Sequence, residues 1–303
     1  MNIVSFVTST GDNGLGIETD DELIDVTPFL PDGDLSPLRR LLETGQASEI
    51  LDRAATEGKR IARSDVVIGP VVPDPTKIVA APVNYRNHQE EMSQDAQVNA
   101  LGVFLKAPSS VIGDGGTVRL PYVDRRFDQE GELAVVIGTA ARNVSREEAR
   151  DHVFGYTCLL DMTMRGGEDR STRKSFDTFT PVGPRIVTPD SMPPLEDLEI
   201  RTLVNGTLRQ RADVTDLIWD IPQLIAYASS VMTLHPGDII TSGTPEGVGQ
   251  IFEGDEVSVE VTGIGPLTVT VSAQGAVVCP TLGADRGPKP PTELTPVSER
   301  AAR

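Results

Sequence analysis

Apolar residues along this chain fall mostly into short runs bounded by glycine and proline, with helical spacing in only a few places. Residues 3–7 and 23–26 read as strands. Ser36 as N-cap, Pro37 in the first turn, Leu38, Leu41 and Leu42 on one face and Gly45 as a stop predict a short helix. A second helix is expected over about 48–62. Pro70, Pro73 and Pro75 mark 69–77 as a linker. From there to about residue 283 the pattern is strand-rich. The runs 133–137 and 156–160 are continuously apolar, as strands buried on both faces are. Asn205-Gly206 suits the positive backbone angles of a type I′ hairpin turn, and later strands are expected at 238–242, 257–261 and 267–271. Ser145 and Glu148 fit a capping box. Asp220 with Pro222 starts a helix running toward Met232. Segment 284–303, with Pro288, Pro290, Pro291 and Pro296, reads as a disordered tail. The expected organisation is a small N-terminal domain over 1–70, a larger catalytic domain over 71–283 and the tail over 284–303.

Composition narrows the function classes. The 303 residues carry a formal charge of −18, with no clustered Lys/Arg stripe, so a nucleic-acid partner is not expected. No run approaches the roughly 18 apolar residues of a membrane-spanning helix. Met1-Asn2-Ile3-Val4 lacks the basic start of a signal peptide. Cys158 and Cys279 form no CxxC pair and read as reduced thiols. A soluble, cytoplasmic protein with no membrane partner is expected. The acidity repels an anionic substrate at long range, so a site for one must concentrate positive charge locally.

Acids placed against apolar strands carry the first chemical signal. Glu130 and Glu132 precede the run 133–137, and a spacing of two puts them on one face of a strand. Their backbones would lie about 6.5 Å apart, and two ionised carboxylates at that separation repel by roughly 2.5 kcal/mol at an effective dielectric of about 20. A cation or a shared proton relieves such a pair. The run 156–160 ends in Asp161, repeating the pattern. Three oxygen ligands suit Mg²⁺ or Mn²⁺ better than zinc. Taken alone, an E-x-E pair usually means solvated strand-end acids, and the spacing leaves the distance from Glu132 to Asp161 open.

In order, the chain also contains Val83-Asn84-Tyr85-Arg86-Asn87-His88-Gln89-Glu90-Glu91, Phe104-Leu105-Lys106, Glu130-Gly131-Glu132-Leu133, Gly155-Tyr156-Thr157 with Asp161, Lys174-Ser175-Phe176-Asp177-Thr178-Phe179, and Gly243-Thr244-Pro245-Glu246-Gly247-Val248-Gly249. These six motifs resemble the fumarylacetoacetate hydrolase family. Within it they resemble the bacterial branch of acylpyruvate hydrolases, oxaloacetate decarboxylases and 2-hydroxyhepta-2,4-diene-1,7-dioate isomerases. The resemblance covers about residues 75–275. It implies an α+β fold: a small N-terminal α/β domain and a C-terminal mixed β-sandwich or barrel-like roll with peripheral helices. It further implies a homodimer as the usual assembly, Mg²⁺ (or Mn²⁺) on Glu130, Glu132 and Asp161, Lys174 beside the metal, and His88 and Glu91 on a lid over the substrate.

A small 2-oxo carboxylate can chelate such an ion through its carboxylate and keto oxygens. Polarising the keto group favours the enolate common to C–C hydrolysis, decarboxylation and tautomerisation. Hydrolysis of an acylpyruvate-type (2,4-diketo) carboxylate is the first reading, with a decarboxylase or isomerase as the alternative. Three carboxylates and a divalent cation leave one negative charge over, so cationic side chains must complete the site. Lys174, which the resemblance puts beside the metal, is the best candidate, and Arg165 and Lys106 are weaker candidates for the substrate carboxylate, each of which also has a reading as a surface charge. His88 and Glu91, three apart, share a face if helical, and a carboxylate-oriented imidazole used as a general base is worth roughly 10²–10⁴-fold. His152 and His235 read as structural. Thr244 lies in a glycine-rich turn suited to holding a substrate oxygen, and that turn lacks the Lys-Ser/Thr of a P-loop. Two departures from the family pattern stand out. Gly166-Gly167 replace an acid after Arg165, and Arg170-Ser171-Thr172-Arg173 brings two arginines before Lys174, which suggests a more anionic substrate such as a dicarboxylate.

Overall fold

The computed structural model describes residues 1–288, 290, 291 and 293–297. Its fold is α+β. The largest sheet has twelve strands, and its centre is the antiparallel trio Thr180–Val187, Val153–Leu160 and Gly131–Ile137. Every residue of Gly131–Ile137 is buried. Leu133, Val135 and Ile137 enter one core, whereas Ala134 and Val136 enter a second core on the opposite face. That alternation explains the unbroken apolar run. Each fully buried Leu, Ile or Val is worth roughly 1.5–3 kcal/mol, so a one-residue slip in register, which exchanges the two faces, is strongly disfavoured.

A five-stranded sheet, including Glu199–Val204, Glu256–Val261 and Gly265–Ser272, closes the first core and makes the sandwich. On the other face lie the N-terminal helices Pro37–Glu43 and Ala47–Glu57, whose Leu38, Leu41, Leu42 and Leu51 pack with Val136, Leu159 and Ile186. The N-terminal segment 1–70 also joins the large sheet directly, since Asn2–Thr8 pairs with Thr180–Val187 at Ile3 and Ile186. Its last strand, Val66–Ile68, pairs with Asn2–Thr8, and the proline-marked stretch 69–77 then leads into Ile78–Ala80.

The local signals act as the chemistry predicts at most termini. Ser36 accepts from Arg39 N at 3.3 Å, and Asp220 accepts from Gln223 N at 2.9 Å, capping Ile221–Val231. Asn205 and Gly206 both have positive φ, 51° and 73°, in the turn joining Val204 to Thr207. Two expectations fail. The helix predicted to reach residue 62 ends at Glu57, because Arg60–Ala62 pairs with Glu22–Asp25 and strand pairing there outweighs helical spacing. The capping box forms, with Glu148 N donating to Ser145 Oγ at 3.2 Å, but only a 3-10 turn, Ala149–His152, follows.

Gly155 tests the central pairing. A Cβ there would lie 2.4 Å from Ile186 Cγ2 and 2.6 Å from the Val187 carbonyl oxygen. Gly155→Ala is therefore expected to lower the unfolding free energy by about 1–3 kcal/mol, measured by denaturant titration. An unchanged midpoint contradicts the close approach of these strands.

Candidate active site

The antiparallel register of Gly131–Ile137 and Val153–Leu160 sets the site. Gly131 faces Leu160, so Glu130 and Glu132 at the start of one strand meet Asp161 just beyond the end of the other. Asp161 N donates to Glu130 O at 2.8 Å. The carboxylates of Glu130, Glu132 and Asp161 are all buried, with one oxygen from each lying within 4.8 Å of the others. Among the described residues this is the only such group.

Cations and hydrogen bonds hold the three acids from several sides. Lys174 Nζ lies 2.6 Å from Glu130 Oε2, 2.5 Å from Asp161 Oδ2 and 2.7 Å from Thr163 Oγ1, which uses all three of its donors. Arg165 Nε donates to Asp128 Oδ2 at 2.7 Å, and its NH2 group is 2.9 Å from Glu130 Oε1. Lys106, fully buried, donates to Asp161 Oδ1 and to the Phe179 carbonyl. Glu132 receives only neutral donors, the Thr241 hydroxyl and Gly243 N.

This asymmetry separates the carboxyl groups. Burial works against the charge on Glu130, but Lys174, Arg165 and His88 together outweigh it and hold this carboxyl well below the usual range. For Glu132, burial and repulsion from Asp161 and Glu130 prevail over Lys174 and Thr241, and its carboxyl is pushed up to about 8. A buried acid that ionises this reluctantly beside two others is short of a positive charge. The all-oxygen, hard donor set fits a divalent cation such as Mg²⁺ or Mn²⁺.

A cleft of about 470 Å³, its open mouth included, leads to the acids. His88, on the short helix Arg86–Glu91, lines it, as do Phe104, Arg165, Arg173, Lys174 and Thr244. His88 Nδ1 lies 3.1 Å from Glu91 Oε2. Burial would raise the Glu91 carboxyl, but hydrogen bonds from His88, Thr295 and Gly247 N more than offset it and keep the group below its ordinary value. A carboxylate only accepts, so in the neutral imidazole Nδ1 carries the proton and Nε2 is left as the acceptor. Thr244 Oγ1 donates to Gly131 O at 2.9 Å and accepts from Gln210 Nε2 at 2.8 Å.

The sequence model of the fumarylacetoacetate (FAA) hydrolase C-terminal family matches residues 77–272. The chain belongs to this family. It is an enzyme, as its named relatives are. A maleylpyruvate hydrolase of Aquipseudomonas alcaligenes is 41% identical over 279 residues, covering 86% of this chain and 96% of the relative. An oxaloacetate tautomerase of Bacillus subtilis is 41% identical over 219 residues, covering 68% and 73%. The crystal structure of maleylpyruvate hydrolase from Sphingobium sp. SYK-6, in complex with manganese(II) and pyruvate, is 39% identical. It superposes with a TM-score of 0.77 and covers 90% of this chain and 99% of that one.

The fold thus gathers Glu130, Glu132, Asp161, Lys174, Arg165, His88 and Thr244 around one cleft, with Glu91 on His88 and Lys106 on Asp161. Sequence reasoning missed several supports. Asp128, buried and paired with both Arg126 and Arg165, was legible only as a third acid two residues before Glu130. Thr163 and Thr241 carried no signal. Segment 284–303, read as a disordered tail, contributes Pro288 to the cleft wall and the Thr295 hydroxyl to Glu91 at 2.6 Å. Residues 289, 292 and 298–303 lie outside the described residues.

The raised Glu132 carboxyl has a measurable consequence. The folded metal-free protein keeps a proton there that the unfolded chain releases, so this group's contribution to stability is full below about pH 4.5 and lost as pH rises through about 8. A divalent cation must displace that proton, and its binding near pH 7 is expected to release about one proton, declining above pH 8. Titration calorimetry in buffers of different ionisation enthalpy reads this number. Heats independent of buffer contradict the assignment.

Proposed function

We propose that the chain is a divalent-metal-dependent hydrolase that cleaves a C–C bond in an acylpyruvate-type (2,4-diketo) carboxylate. The observation that carries this reading is the His88–Glu91 pair in the same cleft as the three buried acids. Glu130, Glu132 and Asp161 would hold Mg²⁺ or Mn²⁺, and the ion would anchor the 2-oxo acid and draw electrons from its keto group.

The protein's own groups do the rest. His88, with its proton fixed on Nδ1 by Glu91, accepts a proton from water at Nε2. The water oxygen bonds to the distal carbonyl carbon, and the bond from that carbon to the adjacent methylene breaks. The released electron pair passes into the pyruvyl fragment, which takes up a proton at its methylene carbon and leaves as pyruvate beside the free acid. Lys174 holds Glu130 and Asp161 in place through two of its donors, with the third on Thr163, and sets positive charge beside the developing negative charge. Arg165 and Thr244 are proposed to bound the substrate's carboxylate end, and Lys106 to hold Asp161 from behind. The manganese- and pyruvate-bound relative supports this reading, since pyruvate is the product it requires. A homodimer in the cytoplasm is the proposed assembly and setting.

The second reading, a decarboxylase or isomerase on the same acids, draws support from the tautomerase relative. His88→Ala separates the two. If hydrolysis is the reaction, turnover of a 2,4-diketo acid falls by about 10²–10⁴-fold, while decarboxylation or tautomerisation of oxaloacetate persists. Undiminished hydrolysis by His88→Ala overturns the proposal. Glu130→Ala, by contrast, is expected to remain folded by circular dichroism and to abolish every activity that depends on added metal.

A further inference from the structure

Gly166 and Gly167, the two glycines that stand where the family pattern has an acid, have a use in the fold that the reaction does not account for. The C-terminal segment lies directly on them. Gly167 N donates to Gly283 O at 2.9 Å. A Cβ at Gly167 would stand 2.5 Å from Arg286 Cβ, and one at Gly287 only 2.4 Å from Gly166 O, so side chains at these positions would push the two stretches apart. Arg125 fastens the start of the segment, its NH2 group donating to Glu168 Oε1 at 2.6 Å and to the Thr281 carbonyl at 3.0 Å.

Further along, the segment reaches the catalytic cleft. Pro288 lines the cleft, Pro290 is buried, and Arg126 NH1 donates to Pro291 O at 3.5 Å. These prolines narrow the conformations open to the undocked segment, which lowers the entropy lost when it seats. Leu294 Cδ2 lies over Gly249, where a Cβ would meet it at 2.7 Å. Thr295 Oγ1 then donates to Glu91 Oε1 at 2.6 Å, joining residues 204 positions apart.

This contact falls on the carboxylate that orients His88. The Glu91 side chain is 1% exposed and belongs to a helix of six residues, too short to be rigid without outside contacts. Its Oε2 faces His88 Nδ1, and its Oε1 accepts from Gly247 N at 2.9 Å as well as from Thr295. Gly247 is itself fixed, with a φ of 93° and no space for a Cβ beside Arg209 O. One donor leaves a carboxylate free to pivot about it, and a second, from a separate part of the chain, removes that freedom. We propose that Thr295 is a positioning residue for the hydrolysis: its hydroxyl holds the Glu91 carboxylate, and through it the His88 imidazole, in line with the attacking water. Thr295 is not among the residues that line the cleft, so it acts through Glu91 and not on the substrate. The family match ends at residue 272, and this support lies beyond it. The inference rests on the hydrolase reading proposed above.

Steady-state hydrolysis of a 2,4-diketo acid by the manganese-loaded full chain tests the assignment. Thr295→Val keeps the shape of the side chain and removes its hydroxyl. It is expected to lower kcat about 10-fold, as the loss of a hydrogen bond to a charged group does, with KM changed by less than about 2-fold. Thr295→Ser, which keeps the donor, should recover most of that kcat. In a His88→Ala background the imidazole that Glu91 orients is gone, so adding Thr295→Val should cost nothing more. An unchanged kcat in Thr295→Val overturns the positioning role and leaves the hydrolase reading standing. So does an equal loss in Thr295→Ser, or a loss that persists beside His88→Ala, since each marks general packing. If His88→Ala alone hydrolyses undiminished, the hydrolase reading fails and the role of Thr295 falls with it.

Discussion

Three carboxylates buried within a few ångströms of one another are the constraint on which this molecule is organised. Left alone they would repel by several kcal/mol and lose their hydration as well. Two antiparallel strands force the encounter. Their own stability comes from apolar side chains that enter a core on each face, so the register that gathers the acids is fixed by packing elsewhere. Local electrostatic strain is thereby sustained by a distributed hydrophobic gain, a common arrangement at functional sites.

The surrounding charges relieve that strain unevenly, and the unevenness leaves one carboxyl short of positive charge. Lys174 and Arg165 stabilise Glu130, and Lys106 and Lys174 stabilise Asp161. Glu132 has only a hydroxyl and a backbone N–H. The missing positive charge is therefore localised at one carboxyl, which lines the cleft. The His88–Glu91 pair stands in the same cleft, held by Gly247 N and Thr295 as well as by its own helix. The hydrolysis proposed above requires both an ion on the three acids and a base held as His88 is.

Much of this was legible in the sequence because much of it is local. The caps at Ser36 and Asp220, the Asn205-Gly206 turn and the doubly buried strands each declare themselves within a few residues. Glu130, Glu132 and Asp161 could be singled out as acids bordering apolar runs, but their convergence depends on strand pairing that spacing does not encode. The resemblance of six ordered motifs supplied it. What escaped was non-local. Asp128 matters because Arg165, thirty-seven positions away, returns to it. The helix expected to reach residue 62 stops early because residues 60–62 find a strand partner near residue 23.

Diffraction from crystals grown with manganese, collected at a wavelength where that metal scatters anomalously, tests the central claim most directly. One strong anomalous peak should lie about 2.0–2.3 Å from an oxygen of each of Glu130, Glu132 and Asp161, with Glu132 turned toward it. A peak elsewhere, or three carboxylates pointing into separate regions with no density between them, would contradict it.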